Sequence, residues 1–244
     1  MSDALTYFKE VYGEVPGWVQ KMHDYSPAVL HTYTGIRGEI MQDGALSRKE
    51  KDSLIASMNA ARLYERSMIY HTKGAVDFGA SLPEIAEYFL TAYLYKGDSA
   101  LRTALSAISY ALELNGKPAP ATENEAAADE TLSRIIGWLE GEDTAFLKET
   151  LRVLKTGDRD ALEAKILSDG IVSSRLKHLN MAGNFIVELD GRGAVPWMER
   201  AREAGASEAD LADVGYICIL TAGIPAWFEL SDSLKTKNET EIGG

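Results

Sequence analysis

Two pairs of segments match at a single spacing, and that spacing constrains the fold more than any other feature. QDGALS (Gln42–Ser47) corresponds to SDGIVS (Ser168–Ser173), and FGASLPEIAE (Phe78–Glu87) to AGASEADLAD (Ala204–Asp213). Both correspondences share an offset of 126 residues without a gap. Lys51/Lys177, Ala56/Ala182, Leu63/Leu189, Arg66/Arg192, Ala75/Ala201 and Gly97/Gly223 agree at the same offset. Two Asp-Gly turns and two Gly-Ala-Ser breaks in register predict a tandem repeat of one module.

The module is helical. Leu54, Met58, Ala61, Tyr64, Met68, His71, Ala75 and Phe78 recur in steps of three and four, the spacing of one helix face. The pattern predicts a single helix from Ser47 to Phe78, capped by Ser47 with Glu50 as its capping-box partner and closed by Gly79. Ser81 and Glu84 open the next helix, with Pro83 in its first turn, and Asp98 or Ser99 opens a third. Strand-like alternation between turn pairs is absent, so the expected class is all-α. NGKPAPATENEAAAD (Asn115–Asp129) loses the apolar stripe and reads as a linker. The expected layout is module 1 at 1–114, a linker at 115–130, a degenerate module 2 at 131–236 and a flexible tail at 237–244.

Composition removes several function classes. A formal net charge of -12 would repel a phosphate backbone or an anionic membrane, and no Lys/Arg cluster offsets it. The single cysteine, Cys218, permits no intramolecular disulfide and no cysteine metal site, which suits a reducing compartment. It lies in the apolar YICILTAG stretch and reads as a buried, inert thiol. The N-terminal segment lacks the basic and apolar regions of a signal peptide, and VGYICILTAGIPAWF is too short and broken to span a membrane. A cytoplasmic location is expected, with no nucleic-acid or membrane partner. No phosphate-binding loop, dinucleotide fingerprint or serine nucleophile elbow is present. His23 and His31 lack a carboxylate cluster at ligand spacing, so no metal and no cofactor is expected. Arg62, Arg66 and Arg102 are candidate cations for an acidic substrate.

His71 is the residue that needs an explanation. A histidine on an apolar helix face is either a neutral core residue bonded to a carbonyl or a group placed for proton transfer. The module from Ala45 to about Leu114 resembles the carboxymuconolactone decarboxylase / AhpD-like superfamily. A long helix ending near a His, a Gly-Ala-Ser break and a following helix opening with Glu-Ile carry that resemblance. It implies an all-α, oligomeric fold. The redox branch of the family uses a Glu followed by Cys-x-x-Cys-x-x-x-His. Those positions fall here on Asp52, Tyr64, Ser67 and His71, so the carboxylate and histidine are kept and both sulfurs are lost. Thiol peroxidase activity by that mechanism is excluded. The decarboxylase branch has a Glu four residues before the same His, where this chain has Ser67; Glu65 and Glu87 are nearby in sequence only. In the second module the equivalent residues are His178, Asp190, Gly193 and Trp197, and the pattern is gone. That half is expected to supply packing and one wall of a pocket.

The resemblance implies a cofactor-independent lyase or isomerase acting on a small organic acid or lactone. His71 would be the general acid/base and Asp52 its carboxylate. Tyr64 and Ser67 would position substrate, three and four residues apart from one another and from His71 on an inward face. A homo-oligomer is expected, with a trimer favoured. The alternative is a non-catalytic helical binding or assembly protein whose site has decayed. A polar pocket around His71 favours the enzyme; a solid apolar core there favours the alternative.

Overall fold

A computed structural model describes residues 3–122 and 126–235. The expected tail at 237–244 lies outside the described residues. The expected all-α class is what is found: the described residues form fourteen helices and no strand. Three short helices come first, α1 (Asp3–Tyr12), α2 (Gly17–Tyr25) and α3 (Pro27–Ile40). They enclose a small core of their own around Phe8, Val19 and Leu30. Phe8 meets Trp18 edge-on at 5.2 Å.

Ser47 starts α4 (Arg48–Ala61) with the expected capping box, its hydroxyl accepting from the Glu50 amide while Glu50 reaches back. The predicted single helix from Ser47 to Phe78 does not exist. It breaks after Ala61 and resumes as α5 (Glu65–Asp77). The break is a Schellman turn: Tyr64 N–H donates to the Asn59 carbonyl and Leu63 N–H to that of Ala60. Leu63 occupies the left-handed position at φ 57°, where glycine is usual. A leucine there gives no breaker signal, which is why periodicity ran straight through it.

Ser81 and Glu84 cap α6 (Leu82–Lys96), and Gly97 turns the chain into α7 (Asp98–Leu114). Helices α8 (Ala128–Trp138), α9 (Ala145–Leu154) and α10 (Arg159–Leu167) follow. Helix α8 therefore begins inside the stretch expected to be linker. Leu132, Ile135, Leu147 and Ile166 of these helices join the core of Leu101, Leu105 and Ile108 on α7. The expected start of a second module at 131 thus does not separate two cores. The last four helices are α11 (Ser174–Ile186), α12 (Gly191–Glu203), α13 (Glu208–Ala222) and α14 (Ile224–Ser231). They build a second core with Leu54, Ile55 and Met58 of α4. Helix α4 belongs to both cores, and every residue from Lys51 to Ala61 is buried.

Positions 126 residues apart share local geometry. Leu189 repeats the left-handed turn of Leu63 at φ 61°. Ser207 and Asp210 repeat the capping box of Ser81 and Glu84. The Lys51 ammonium lies 3.1 Å from Asp213, and the Lys177 ammonium 3.0 Å from Glu87, so each half reaches into the other in the same way. Asp213 accepts from the Leu46 amide, and Glu87 from those of Ile171 and Val172. The glycines of the two Asp-Gly turns are explained by these carboxylates. A Cβ on Gly44 would come 2.9 Å from Asp213, and one on Gly170 2.5 Å from Glu87.

Candidate active site

The Schellman turn sets the direction of α5 and so brings its inner face back against α4. His71 and Asp52 meet there, with His71 Nδ1 2.7 Å from Asp52 Oδ1. Asp52 is also held by Arg48 Nε at 2.6 Å. The carboxylate has room because residue 74, one turn beyond His71, is glycine; a Cβ there would lie 2.5 Å from Asp52 Oδ2.

Burial opposes ionisation of Asp52. The hydrogen bond and charge of His71 and the Arg48 guanidinium outweigh it, holding the carboxyl below the usual carboxylate range. Burial drives the His71 imidazole below its ordinary value; Asp52 opposes this, and the charges of Arg37 and Arg48 add to it. A neutral imidazole results. With Asp52 an anion, Nδ1 carries the proton and donates it to Asp52, leaving Nε2 as an acceptor. Nε2 has no hydrogen-bond partner among the described residues.

The ring borders a cavity of about 400 Å³, within the size range of small-molecule sites. Tyr64 and Ser67 border it too, so the structure brings three of the four expected site residues to one cavity. Asp52, 1% exposed, stands behind His71 and does not line it. Tyr64 departs from the inward helix face expected of it. It is the residue preceding α5, 49% exposed, at the cavity mouth. Ser67 ends a polar ladder: Thr221 Oγ1 donates to Asn59 Oδ1, and Asn59 Nδ2 donates to Ser67 Oγ, both at 3.0 Å. The Ser67 hydroxyl proton remains for a ligand.

Leu220 and Thr221 of α13 complete one wall. On the opposite side α1–α3 form a roof of Tyr12, Trp18, Tyr33 and Arg37. Arg37 is buried and donates to the hydroxyls of Tyr7 at 2.5 Å and Tyr12 at 3.0 Å. Asn59, Thr221, Gly74 and Arg37 escape a reading of the sequence. Only Gly74 leaves a local trace there, as a glycine inside a helix. Of the arginines expected near an acidic substrate, Arg66 borders the cavity, whereas Arg62 is bound to Glu188 and Arg102 to the Ala126 carbonyl. Glu87 lies in its pair with Lys177 and takes no part. His23 and His31 do not line the cavity.

At the offset of 126 residues the polar site gives way to rings. Asn59, His71 and Thr221 correspond to Phe185, Trp197 and Tyr95. Phe185 stacks on Trp197 at 6.4 Å and meets Tyr95 edge-on at 4.8 Å. Among the described residues no group of three His, Cys, Asp or Glu side chains is placed to hold a metal. No described helix is long and apolar enough to cross a membrane.

Residues 27–109 match the carboxymuconolactone decarboxylase family, and this segment holds all four expected site residues. No curated protein matches the chain.

Proposed function

We propose that the chain is a cofactor-independent lyase or isomerase acting on a small organic acid or lactone, with His71 as general acid/base. The observation that carries this reading is the neutral imidazole of His71, fixed by Asp52 through Nδ1 and bordering the cavity with its other nitrogen free. Nε2 would take a proton from a carbon next to a carbonyl and return it elsewhere on the substrate. Asp52 would hold the tautomer and stabilise the imidazolium that forms. Ser67 and Tyr64 would donate hydrogen bonds to the developing enolate oxygen. The polar lining favours this over the alternative of a decayed site with an apolar core. We also infer that the chain arose by duplication of one module, since the reciprocal Lys51–Asp213 and Lys177–Glu87 pairs are related by the offset of 126 residues. The second half then keeps the architecture and supplies Leu220 and Thr221 to the first half's cavity.

His71→Gln tests the assignment. It keeps side-chain size and a hydrogen bond to Asp52 but removes the titratable nitrogen. Turnover in a screen of small lactones and keto acids should fall by about 10²–10⁴-fold, with little change in melting temperature. Loss of about 1–3 kcal/mol of stability with unchanged turnover would identify His71 as a core residue instead. Peroxide turnover that persists in Cys218→Ala would contradict the expected lack of peroxidase activity.

A further inference from the structure

We propose that Arg37 is the carboxylate receptor of the cavity, and that its ligand is a planar, conjugated monocarboxylate lying among the rings of the α1–α3 roof. This rests on the cavity being the substrate site but not on any chemistry at His71.

The charge balance of the lining is the first argument. Arg37 and Arg66 border the cavity and no carboxylate does, in a chain with 37 acidic and 25 basic residues. A positive lining in an acidic protein is a local feature that attracts an anion.

The second argument is the state of Arg37. It is 3% exposed and no described carboxylate lies within ion-pair distance of it. The rings of Tyr7, Phe8 and Tyr12 flank its guanidinium carbon at 5.6, 5.8 and 5.6 Å. Phenols supply its two hydrogen bonds, and they do not neutralise it: burial pushes the Tyr12 hydroxyl up to about 12. A guanidinium has five N–H donors in a fixed fork. Two are used, one on each terminal nitrogen, so three remain for a ligand at the cavity that Arg37 lines. Asp52 acts on this buried cation only from beyond ion-pair distance, and a bound carboxylate would lower the remaining cost of burying it.

The third argument is comparison within the chain. The residue at the offset of 126 from Arg37 is Glu163, a half-exposed side chain paired with Arg200 at 2.8 Å. The half that has lost the histidine also lacks the buried arginine, so the two residues occur together at this cavity.

Shape follows from the roof. Tyr12, Trp18, Tyr33 and Tyr70 line the cavity, and Tyr12 meets Tyr70 at 4.8 Å across the α1–α5 junction. Flat unsaturated ligands stack on such walls and bulky saturated rings do not.

Calorimetric titration of the full chain with benzoate, benzamide and cyclohexanecarboxylate tests the proposal. Benzoate should bind at millimolar concentration or tighter, with benzamide and cyclohexanecarboxylate each weaker by about 10-fold or more. Arg37→Gln should lose benzoate binding by about 10–100-fold without a fall in melting temperature, and Arg37→Lys should keep the fold and part of the affinity. The titration reads binding and not turnover, so failure of the catalytic assignment leaves this test intact. Equal binding of benzoate and benzamide, no benzoate binding at all, or full affinity in Arg37→Gln would overturn the receptor. Equal binding of cyclohexanecarboxylate would overturn the requirement for a planar ligand.

Discussion

Asp52 holds His71 from behind at 2.7 Å, and Gly74 makes the space in which it does so. The three residues form one unit, because the Asp52 carboxylate occupies the position that a Cβ at residue 74 would need. Gly74→Ala therefore separates helix propensity from site geometry. In an ordinary helix interior the change stabilises by about 1 kcal/mol. Here it must displace a buried carboxylate bonded to His71 and Arg48, and a net loss of about 1–3 kcal/mol is expected. Thermal unfolding, together with NMR of the His71 ring nitrogens, would show the loss and the released tautomer. A stabilised variant with an unchanged ring spectrum would contradict the geometry.

The same pair predicts a pH dependence of stability. His71 titrates below its ordinary value in the folded protein, so between that lowered value and about 6.5 the unfolded chain binds a proton that the folded chain does not. Stability should rise with pH across this window and level off above it. Asp52 is also lowered, so its contribution is complete above about 4 and is lost only as pH falls through its folded value. Denaturant unfolding from pH 4.5 to 7.5 should show a positive slope that His71→Gln removes. A slope that survives in the variant would assign it to other groups.

The fold class and the caps were legible because they rest on local chemistry. Ser47, Glu50, Ser81 and Glu84 cap where the sequence places them. The break at Leu63 was not legible, since only tertiary packing pays for a leucine in the left-handed region. Asp52 and His71 were found through a family pattern, and their contact depends on that unread turn. Arg37 and Thr221 reach the cavity from α3 and α13, through long-range packing that leaves no spacing signal. The exchange of Glu87 and Asp213 between halves was equally silent, although the Asp-Gly turns it explains were visible.

Association should follow from α14. Ile224 and Phe228 are 53% and 59% exposed there, beside a Tyr216–Trp227 stack at 4.8 Å. The YLYKG stretch at the end of α6 is partly used within the chain, because Tyr95 packs on Phe185. Light scattering at micromolar concentration should give three times the chain mass, and Phe228→Glu should reduce it without unfolding the protein. A monomeric parent chain would rule this out.

The two exchanged ion pairs should differ in strength because their burial differs. Lys177 and Glu87 have fully buried side chains, whereas Asp213, the partner of Lys51, is 13% exposed. Burial lowers the Lys177 ammonium from its ordinary value, and Glu87 opposes the change. Glu87→Gln leaves that ammonium with the Ser168 carbonyl and no paired carboxylate, Asp169 acting on it only from a distance, and a loss of about 3–5 kcal/mol is expected. Part of the loss should return in Glu87→Gln/Lys177→Met, since the stranded charge is then gone. Asp213→Asn should cost less than Glu87→Gln, because water reaches that carboxylate and screens the remaining lysine. Denaturant midpoints for the parent and the three variants close the comparison. Equal losses at Glu87 and Asp213, or a double variant no better than Glu87→Gln alone, would show that burial of the pair is not what joins the two halves.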